Sequence, residues 1–208
     1  MKKKYQFCLS LTLGLLIFLL AMSGLRRKEE ALASRIAPEI LRFHVLANSD
    51  SSADQALKLE VKDFILEKLQ TGLTEEEAAS KEAISRYVTT HKAALETAAE
   101  RYIKEQGFDY EVRIELEQCL FPEKTYGDMT FPAGTYDAVR VLIGQGKGKN
   151  FWCVLYPSLC YLDSTYAVVP NSSKSQLSAL LSEDDFRALL NARSVKIRFK
   201  LADRLKIK

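Results

Sequence analysis

The pattern of apolar and polar residues separates an N-terminal apolar run from a body with helical and strand periodicities. The uncharged run Phe7–Met22 follows three lysines at positions 2–4. A basic start followed by an apolar run is typical of an export signal. We therefore predict a signal peptide or membrane anchor over residues 1–24 and a linker over 25–37, with the rest of the chain outside the cytoplasm.

The sequence allows the leader either to be cleaved or to remain as a membrane anchor. The apolar run has 16 residues, fewer than the ~20 that comfortably span a bilayer. Small residues at 21–23 and at 31–33 offer two positions for a signal peptidase. The basic residues at 26–28 would instead suit an uncleaved anchor.

Helical spacing of apolar residues predicts two main helices in the body. The first runs from Ser52 to about Leu69 and opens with a capping-box pattern. The second begins near Thr74, with a break near Ser80, and Gly107 ends it. A further short helix opens at Ser182.

Alternation of apolar and polar residues predicts the strands. A half-buried strand is expected at 41–45, with His44 on its polar side, and a strand with one wet face at 110–117. We predict a loop with exposed aromatics from Phe121 to Gly134 and a surface connection from Asn171 to Ser178. The remaining predicted strands are 136–143 and 151–156, joined as a hairpin, and the basic strand 195–201.

These elements predict an α+β fold with a largely antiparallel sheet packed with two main helices. One domain covers residues 38–170. Residues 171–208 supply a linker, the short helix and the basic strand, as part of the same domain.

Charge argues against nucleic acid as a partner. The net charge is +3, but residues 1–33 hold six basic and two acidic side chains, which leaves 24 basic and 25 acidic groups in the body. Phosphate neutralisation needs a basic surplus on one face. No nucleotide-binding loop or cluster of metal ligands occurs, so we expect no cofactor.

Asn48, Asp50 and Asp54 place oxygen-bearing side chains near the start of the first helix. They resemble the beginning of a calcium loop, but Ala53 stands where that loop needs glycine and Leu59 where it needs glutamate. A capped turn between strand and helix explains the pattern better. We predict that these three residues contribute to a protein-binding patch.

A glycine and lysine loop, 144–150, precedes the aromatic run at 151–156. Lys147 and Lys149 could hold an anion, although a flexible hairpin loop is the simpler interpretation. Trp152 lies beside this loop, and tryptophan and tyrosine commonly anchor protein contacts. We therefore predict a second patch formed by Lys124, Tyr126, Lys147, Lys149 and Trp152.

The cysteines leave two further alternatives. Cys153 and Cys160 either form a disulfide, which an exported protein can keep, or remain two buried free thiols. Cys153 with His44, oriented by Asp50 or Asn48, could also form the nucleophile and base of a thiol hydrolase. Nothing adjacent in the sequence supports that hydrolase, so we expect a protein that is not an enzyme.

Several segments together resemble the stage II sporulation protein R family. They are Leu41–Ser51, Asp54–Leu59 with Val61–Asp63, Phe121–Pro122 with Lys124–Gly127, Pro132–Tyr136, and Ile143–Pro157 with Leu159–Cys160. The resemblance covers roughly residues 38–163. Phe151 stands where the family pattern has a second tryptophan.

This resemblance implies a forespore protein exported into the space between two cells. There it would activate a membrane-embedded aspartic protease of the mother cell, which processes the pro-form of a sigma factor. The resemblance supplies no catalytic residues. A secreted thiol hydrolase or an anion-binding, wall-associated protein is the alternative, and membrane contact is expected only through an uncleaved leader.

Overall fold

The computed structural model describes residues 2–160 and 168–191, so the predicted strand at 195–201 lies outside the described residues. The α-helices are α1 (Lys2–Ile36), α2 (Ser52–Gly72), α3 (Glu75–Ala78), α4 (Lys81–Glu105), α5 (Asn171–Leu180) and α6 (Glu183–Asn191). A short 3-10 helix covers Ala37–Glu39. The strands are β1 (Leu41–Leu46), β2 (Val112–Phe121), β3 (Lys124–Tyr126), β4 (Met129–Phe131), β5 (Gly134–Ile143) and β6 (Asn150–Tyr156).

The predicted α+β fold is confirmed. Four strands form a sheet in the order β2-β5-β1-β6, and β3 and β4 form a separate two-stranded sheet. Among the described strands of this sheet, the β2–β5 and β1–β6 pairs are antiparallel and the β1–β5 pair is parallel. Helices α2 and α4 pack on one face of the sheet, where their apolar residues share a core with β1, β2 and β5.

The predicted hairpin between the fifth and sixth strands is wrong, because β1 lies between them. The half-buried character predicted for β1 is also wrong, since all six of its residues are buried. Both corrections have one cause. A central strand pairs along both edges and is covered on both faces, so its polar residues are enclosed together with its apolar ones.

A second core covers the other face of the sheet. The 121–134 segment, predicted as a loop with exposed aromatics, carries the β3–β4 hairpin, and Phe121 and Phe131 are fully buried. The 171–178 segment, predicted as a surface connection, lies in helix α5, and Leu177 of that helix is fully buried. Apolar residues of this second core hold both elements against the sheet.

The end of helix α1 belongs to the body. Leu32, Ala33 and Ile36 are buried in the second core, and Arg35 forms a 2.7 Å ion pair with Asp185 of α6. The predicted linker at 25–37 is therefore helical as far as Ile36. Cleavage at 31–33 would cut through this packed turn, whereas cleavage at 21–23 would leave it whole.

The apolar part of α1 is exposed. One segment among the described residues, Leu9–Glu39, is long and apolar enough to cross a membrane, with a mean hydropathy of 1.9. A signal sequence satisfies the same criterion. The helix is therefore compatible with either a signal peptide or an anchor.

Candidate functional site

The turn between β1 and α2 and the loop between β5 and β6 are joined by hydrogen bonds. Asn48 accepts the backbone N–H of Gln145 at 3.0 Å through its side-chain oxygen. Asp50 accepts the backbone N–H of Lys149 at 2.6 Å, and Lys58 donates to the Lys149 carbonyl at 3.1 Å. We call this arrangement the clasp, formed by residues 48–58 and 144–150. It unites residues that lie almost one hundred positions apart.

Asp54 organises the turn from inside. Its carboxylate accepts hydrogen bonds from Asn48 at 3.0 Å, Ser49 at 2.5 Å and Tyr110 at 3.1 Å, and the side chain is 4% exposed. These bonds, with Ser49 contributing most, hold the pKa of Asp54 below its usual value. Ser51 caps helix α2 by accepting the Asp54 N–H. The capped-turn interpretation is therefore confirmed.

Two glycines allow the clasp to close. A Cβ atom at Gly148 would lie 2.2 Å from the Ser49 carbonyl oxygen. Gly144 has a φ of +56°, and a Cβ there would lie 2.5 Å from the Asn48 side-chain oxygen. The loop is therefore fastened to the turn and is not the freely flexible hairpin loop that the sequence suggested.

The clasp presents its lysines outward. Lys147 and Lys149 are exposed, while their backbone N–H groups bond to Asn48 and Asp50. Asn48 and Asp54, by contrast, bond within the protein through their side chains, and the exposed Asp50 uses Oδ1 to accept the Lys149 N–H. The structure thus brings Lys147 and Lys149 to the first patch, where the acidic and amide side chains position the loop and the lysines face solvent.

The aromatic members of the second patch lie beside the second core. Tyr126 donates its hydroxyl to the Trp152 carbonyl at 3.1 Å. Trp152 is half-buried and stacks on His44, with ring centroids 3.6 Å apart. Lys124 is partly exposed at the start of the β3–β4 hairpin. Tyr126 and Trp152 therefore stabilise the contact between the β3–β4 hairpin and the four-stranded sheet. Both side chains also lie at the border of the surface.

The sequence analysis missed Arg42 and did not expect His44 to be buried. Arg42 has no exposed surface, and its guanidinium lies over the rings of Phe121, Tyr136, Phe131 and Tyr126 at 4.6, 5.1, 5.6 and 5.9 Å. Within the described part of the chain, none of its side-chain nitrogens has a hydrogen-bond partner. Burial lowers the pKa of Arg42. Polar residues alternating along β1 predicted a solvated face, and no local signal in the sequence indicates this cage of four rings.

The structure argues against the thiol hydrolase. Cys153 and Cys160 form a disulfide, with their Cα atoms 5.2 Å apart, so Cys153 holds no free thiol here. Cys153 pairs with Phe43 and packs in the helix-side core, whereas His44 pairs with Trp152 and lies on the opposite face. Cys119 is the free cysteine among the described side chains, and burial raises its pKa to about 11. That thiol is protonated at neutral pH and is a poor nucleophile.

Comparison with known proteins finds relatives of this sequence. Residues 37–166 match the family described as Stage II sporulation protein R (spore_II_R). The chain is 34% identical over 155 residues to Stage II sporulation protein R of Bacillus subtilis (strain 168), covering 71% of this chain and 68% of the relative. No solved structure gives a significant match.

The matched region contains the clasp, Arg42, His44 and the disulfide. It covers more than half of the chain, as does the similarity to the curated relative. The family description names a role in sporulation and no catalytic activity. The chain belongs to the Stage II sporulation protein R family.

Proposed function

We propose that this chain is an exported sporulation signal that activates a membrane-embedded aspartic protease of the mother cell and so leads to processing of a pro-sigma factor. Family membership and the apolar N-terminal helix support this proposal. The observation that carries it is the clasp, because a fixed loop presenting two exposed lysines suits recognition of another protein's surface. The protease and the location in the space between the two cells come from the family resemblance.

Activation would work by preferential binding. A ligand shifts a conformational equilibrium only as far as its affinities for the two states differ. The clasp would contact the active form of the protease through Lys147 and Lys149. Because Asn48 and Asp50 already hold the loop backbone, little conformational entropy would be lost when the loop binds.

The test is reconstitution. The full-length chain in detergent is mixed with proteoliposomes that contain the protease, and cleavage of the pro-sigma factor is followed. We expect cleavage to depend on the added chain. The proposal fails if the folded wild-type chain leaves cleavage at its background rate.

Charge reversal then tests the surface. Lys147→Glu with Lys149→Glu should reduce activation by about tenfold or more, because charges at an interface rim change the association rate. Lys68→Glu with Lys104→Glu makes the same charge change at exposed helical positions and serves as the matched control. Equal activation by both double variants would remove the clasp from the proposed interface.

The exposed lysines also favour a second candidate, an anion-binding protein associated with the cell wall. Purified anionic wall polymer distinguishes the two without any protease. Binding that is lost in the Lys147→Glu, Lys149→Glu variant, together with a negative reconstitution, would support the wall-associated protein.

A further inference from the structure

Strand β2 lies at one end of the four-stranded sheet, so one of its edges has no neighbouring strand among the described residues. In an antiparallel ladder, alternate residues direct both backbone groups toward the partner strand or away from it. The Glu111 carbonyl accepts the Gly144 N–H on the β5 side, so the odd-numbered residues of β2 face β5. The backbone groups of the even-numbered residues therefore face away from the sheet.

Helix α4 covers the first half of this edge. The N–H groups of Val112 and Ile114 donate to the carboxylates of Glu100 and Glu96 on α4, at 3.0 and 2.7 Å. Both strand residues are buried. The first half of the edge is therefore closed to an added strand.

The second half of the edge is open. The outward residues there are Leu116, Gln118 and Leu120, and no hydrogen bond between described residues engages their outward backbone groups. Leu116 is 43% exposed and Leu120 is 75% exposed, and their equal parity places both on one face of the strand. An open edge with exposed apolar side chains is a template for another strand.

The opposite edge of the sheet is already covered. On β6, the Trp152 carbonyl accepts the Tyr126 hydroxyl, and the Val154 carbonyl accepts the Leu159 N–H at 3.0 Å. An added strand would have to displace these bonds. Of the two edges in the described part of the chain, β2 is therefore the one that can accept a strand.

The open edge of β2 ends in a groove beside helix α1. The groove has a volume of about 560 Å³. Leu120 lines it together with Ala133 and Gly134, and Ala33 of α1 lines it from the other side. A side chain placed next to Leu120 by an added strand would enter this groove.

The charged side chains around the open edge are mainly acidic. On the face opposite the leucines, Glu115 and Glu117 both pair with the single guanidinium of Arg140. In the groove, the two glutamates at 29–30 stand against one basic residue, Arg26. Each place thus has one more carboxylate than guanidinium. Charge complementarity therefore favours a partner with basic side chains.

We propose that residues 116–120 of β2 are a docking site for an extended segment of another protein, in which apolar and basic residues alternate. Its apolar side chains would cover Leu116 and Leu120, and its basic side chains would face Glu115 and Glu117. Backbone hydrogen bonds to the outward groups would supply affinity, and the two different faces would supply specificity.

A second copy of this chain fits the edge less well than a basic strand does. Two β2 edges joined antiparallel would bring Glu115 and Glu117 of both copies onto one face of the combined sheet. Like charges that lie close together across a strand pair are destabilising. The chemistry of the edge therefore favours a different protein as its partner.

This docking site is separate from the clasp. The clasp contacts the start of β2, where the Glu111 carbonyl accepts the Gly144 N–H. Gln118 lies about 23 Å further along the strand at the usual rise per residue. Docking at the open edge therefore does not depend on the proposed activation of a protease, and its test uses no protease.

Peptide binding tests the site directly. The full-length chain in non-ionic detergent is titrated into a fluorescent peptide of about seven alternating valine and lysine residues, and anisotropy is recorded. We expect saturable binding, at least about tenfold tighter than that of a valine and glutamate peptide of the same length. Absence of saturable binding, or equal affinity for both peptides, would overturn the proposal.

Two sets of variants locate the bound peptide. Gln118→Pro removes an outward N–H and leaves the bonds to β5 intact, so affinity should fall at least about tenfold. Gln118→Ala is its matched control, because it loses the same side-chain bond to Asp137 and keeps the N–H. Leu116→Gln with Leu120→Gln should also weaken binding at least about tenfold, whereas Leu59→Gln, at a position of α2 that is 45% exposed, should not.

Two further measurements decide between the edge and other sites. Hydrogen exchange at the amides of Leu116, Gln118 and Leu120 should slow at least about tenfold when the valine and lysine peptide is bound. Unchanged exchange at these amides would place the peptide elsewhere and contradict the proposal. Sedimentation equilibrium without peptide should show no dimer that Gln118→Pro dissociates. Such a dimer would place a second copy on the edge and overturn the proposed partner.

Discussion

The imidazole of His44 stacks on the indole of Trp152, with ring centroids 3.6 Å apart and ring planes inclined by 15°. His44 is 6% exposed, and among the described residues neither of its ring nitrogens has a partner that meets hydrogen-bond geometry. Burial lowers the pKa of His44 to about 4; the Asn150 side chain opposes this shift, and the nearby Arg140 guanidinium adds to it. The strand therefore holds a neutral imidazole at physiological pH.

This stack predicts an acid-sensitive fold. Between the unfolded pKa of about 6.5 and the folded value of about 4, the unfolded chain takes up a proton that the folded chain does not. Stability is therefore full above pH 6.5 and is lost as the pH falls through this window, by up to about 1.4 kcal/mol per pH unit. Urea denaturation at pH 7.5, 6 and 5 measures the loss. His44→Phe should weaken the dependence of the free energy of unfolding on pH. His91→Phe, at an exposed position of α4, should leave that dependence unchanged.

The Arg42 cage predicts that its charge is not needed for folding. Cation–π contacts contribute roughly 0.5–2 kcal/mol each, and a buried unpaired charge costs several kcal/mol. Arg42→Met keeps most of the volume and removes the charge, so the free energy of unfolding should stay within about 1 kcal/mol of wild type or rise. Denaturation by urea measures this, with Arg113→Met at an exposed position as the control. If Arg42→Met lowered the free energy of unfolding by more than about 3 kcal/mol, the four rings would stabilise the charge by more than its burial costs.

The disulfide predicts equal effects of its two cysteines. Closing a loop of this length stabilises a chain by about 2–3 kcal/mol in the chain-entropy description. Cys153→Ser, Cys160→Ser and the double variant should therefore lose similar stability, measured by thermal unfolding, and keep activation at temperatures where they remain folded. If Cys153→Ser alone abolished activation in a folded chain, that result would support the hypothesis that the Cys153 thiol is a nucleophile.

The clasp predicts a graded loss of order in the 144–150 loop. Asp54→Ala removes an acceptor that serves three donors, and should cost about 2–4 kcal/mol because Asn48 and Ser49 lose a charged partner. Tyr110→Phe removes one of these bonds and should cost about 0.5–1.5 kcal/mol. Hydrogen exchange at the Gln145 and Lys149 amides should rise in Asp54→Ala. Normal exchange at both amides would mean that the loop is ordered without the turn.

The sequence predicted those features whose causes lie close together in the chain. Helix α2 begins at Ser52 as expected, although its capping residue is Ser51 and not Ser52 as the capping-box pattern predicted. The second helix breaks at Ser80, whose side chain caps α4. Ser182 opens α6 in the same way, by accepting the Asp185 N–H. The capped turn at Asn48–Asp54 was also predicted from neighbouring residues.

Predictions about contacts between residues far apart in the sequence were less successful. Tyr126 and Trp152 were placed in one patch, and they do meet, but as a packed contact at the edge of the core. The burial of Arg42 was not foreseen. Its four aromatic neighbours come from β2, β3, β4 and β5, and only the path of the chain brings them together.

The sequence alone determined the local elements, the apolar N-terminal segment and the family, because capping, periodicity and motif spacing act within short stretches of chain. Tertiary structure decided strand order. Nothing within residues 134–156 indicates that β1 inserts between β5 and β6, since the alternative hairpin satisfies the same local pattern. That insertion buries Arg42 and His44 and draws the 144–150 loop onto the Asn48–Asp54 turn, because a strand enclosed on both edges and both faces takes its polar side chains inside with it.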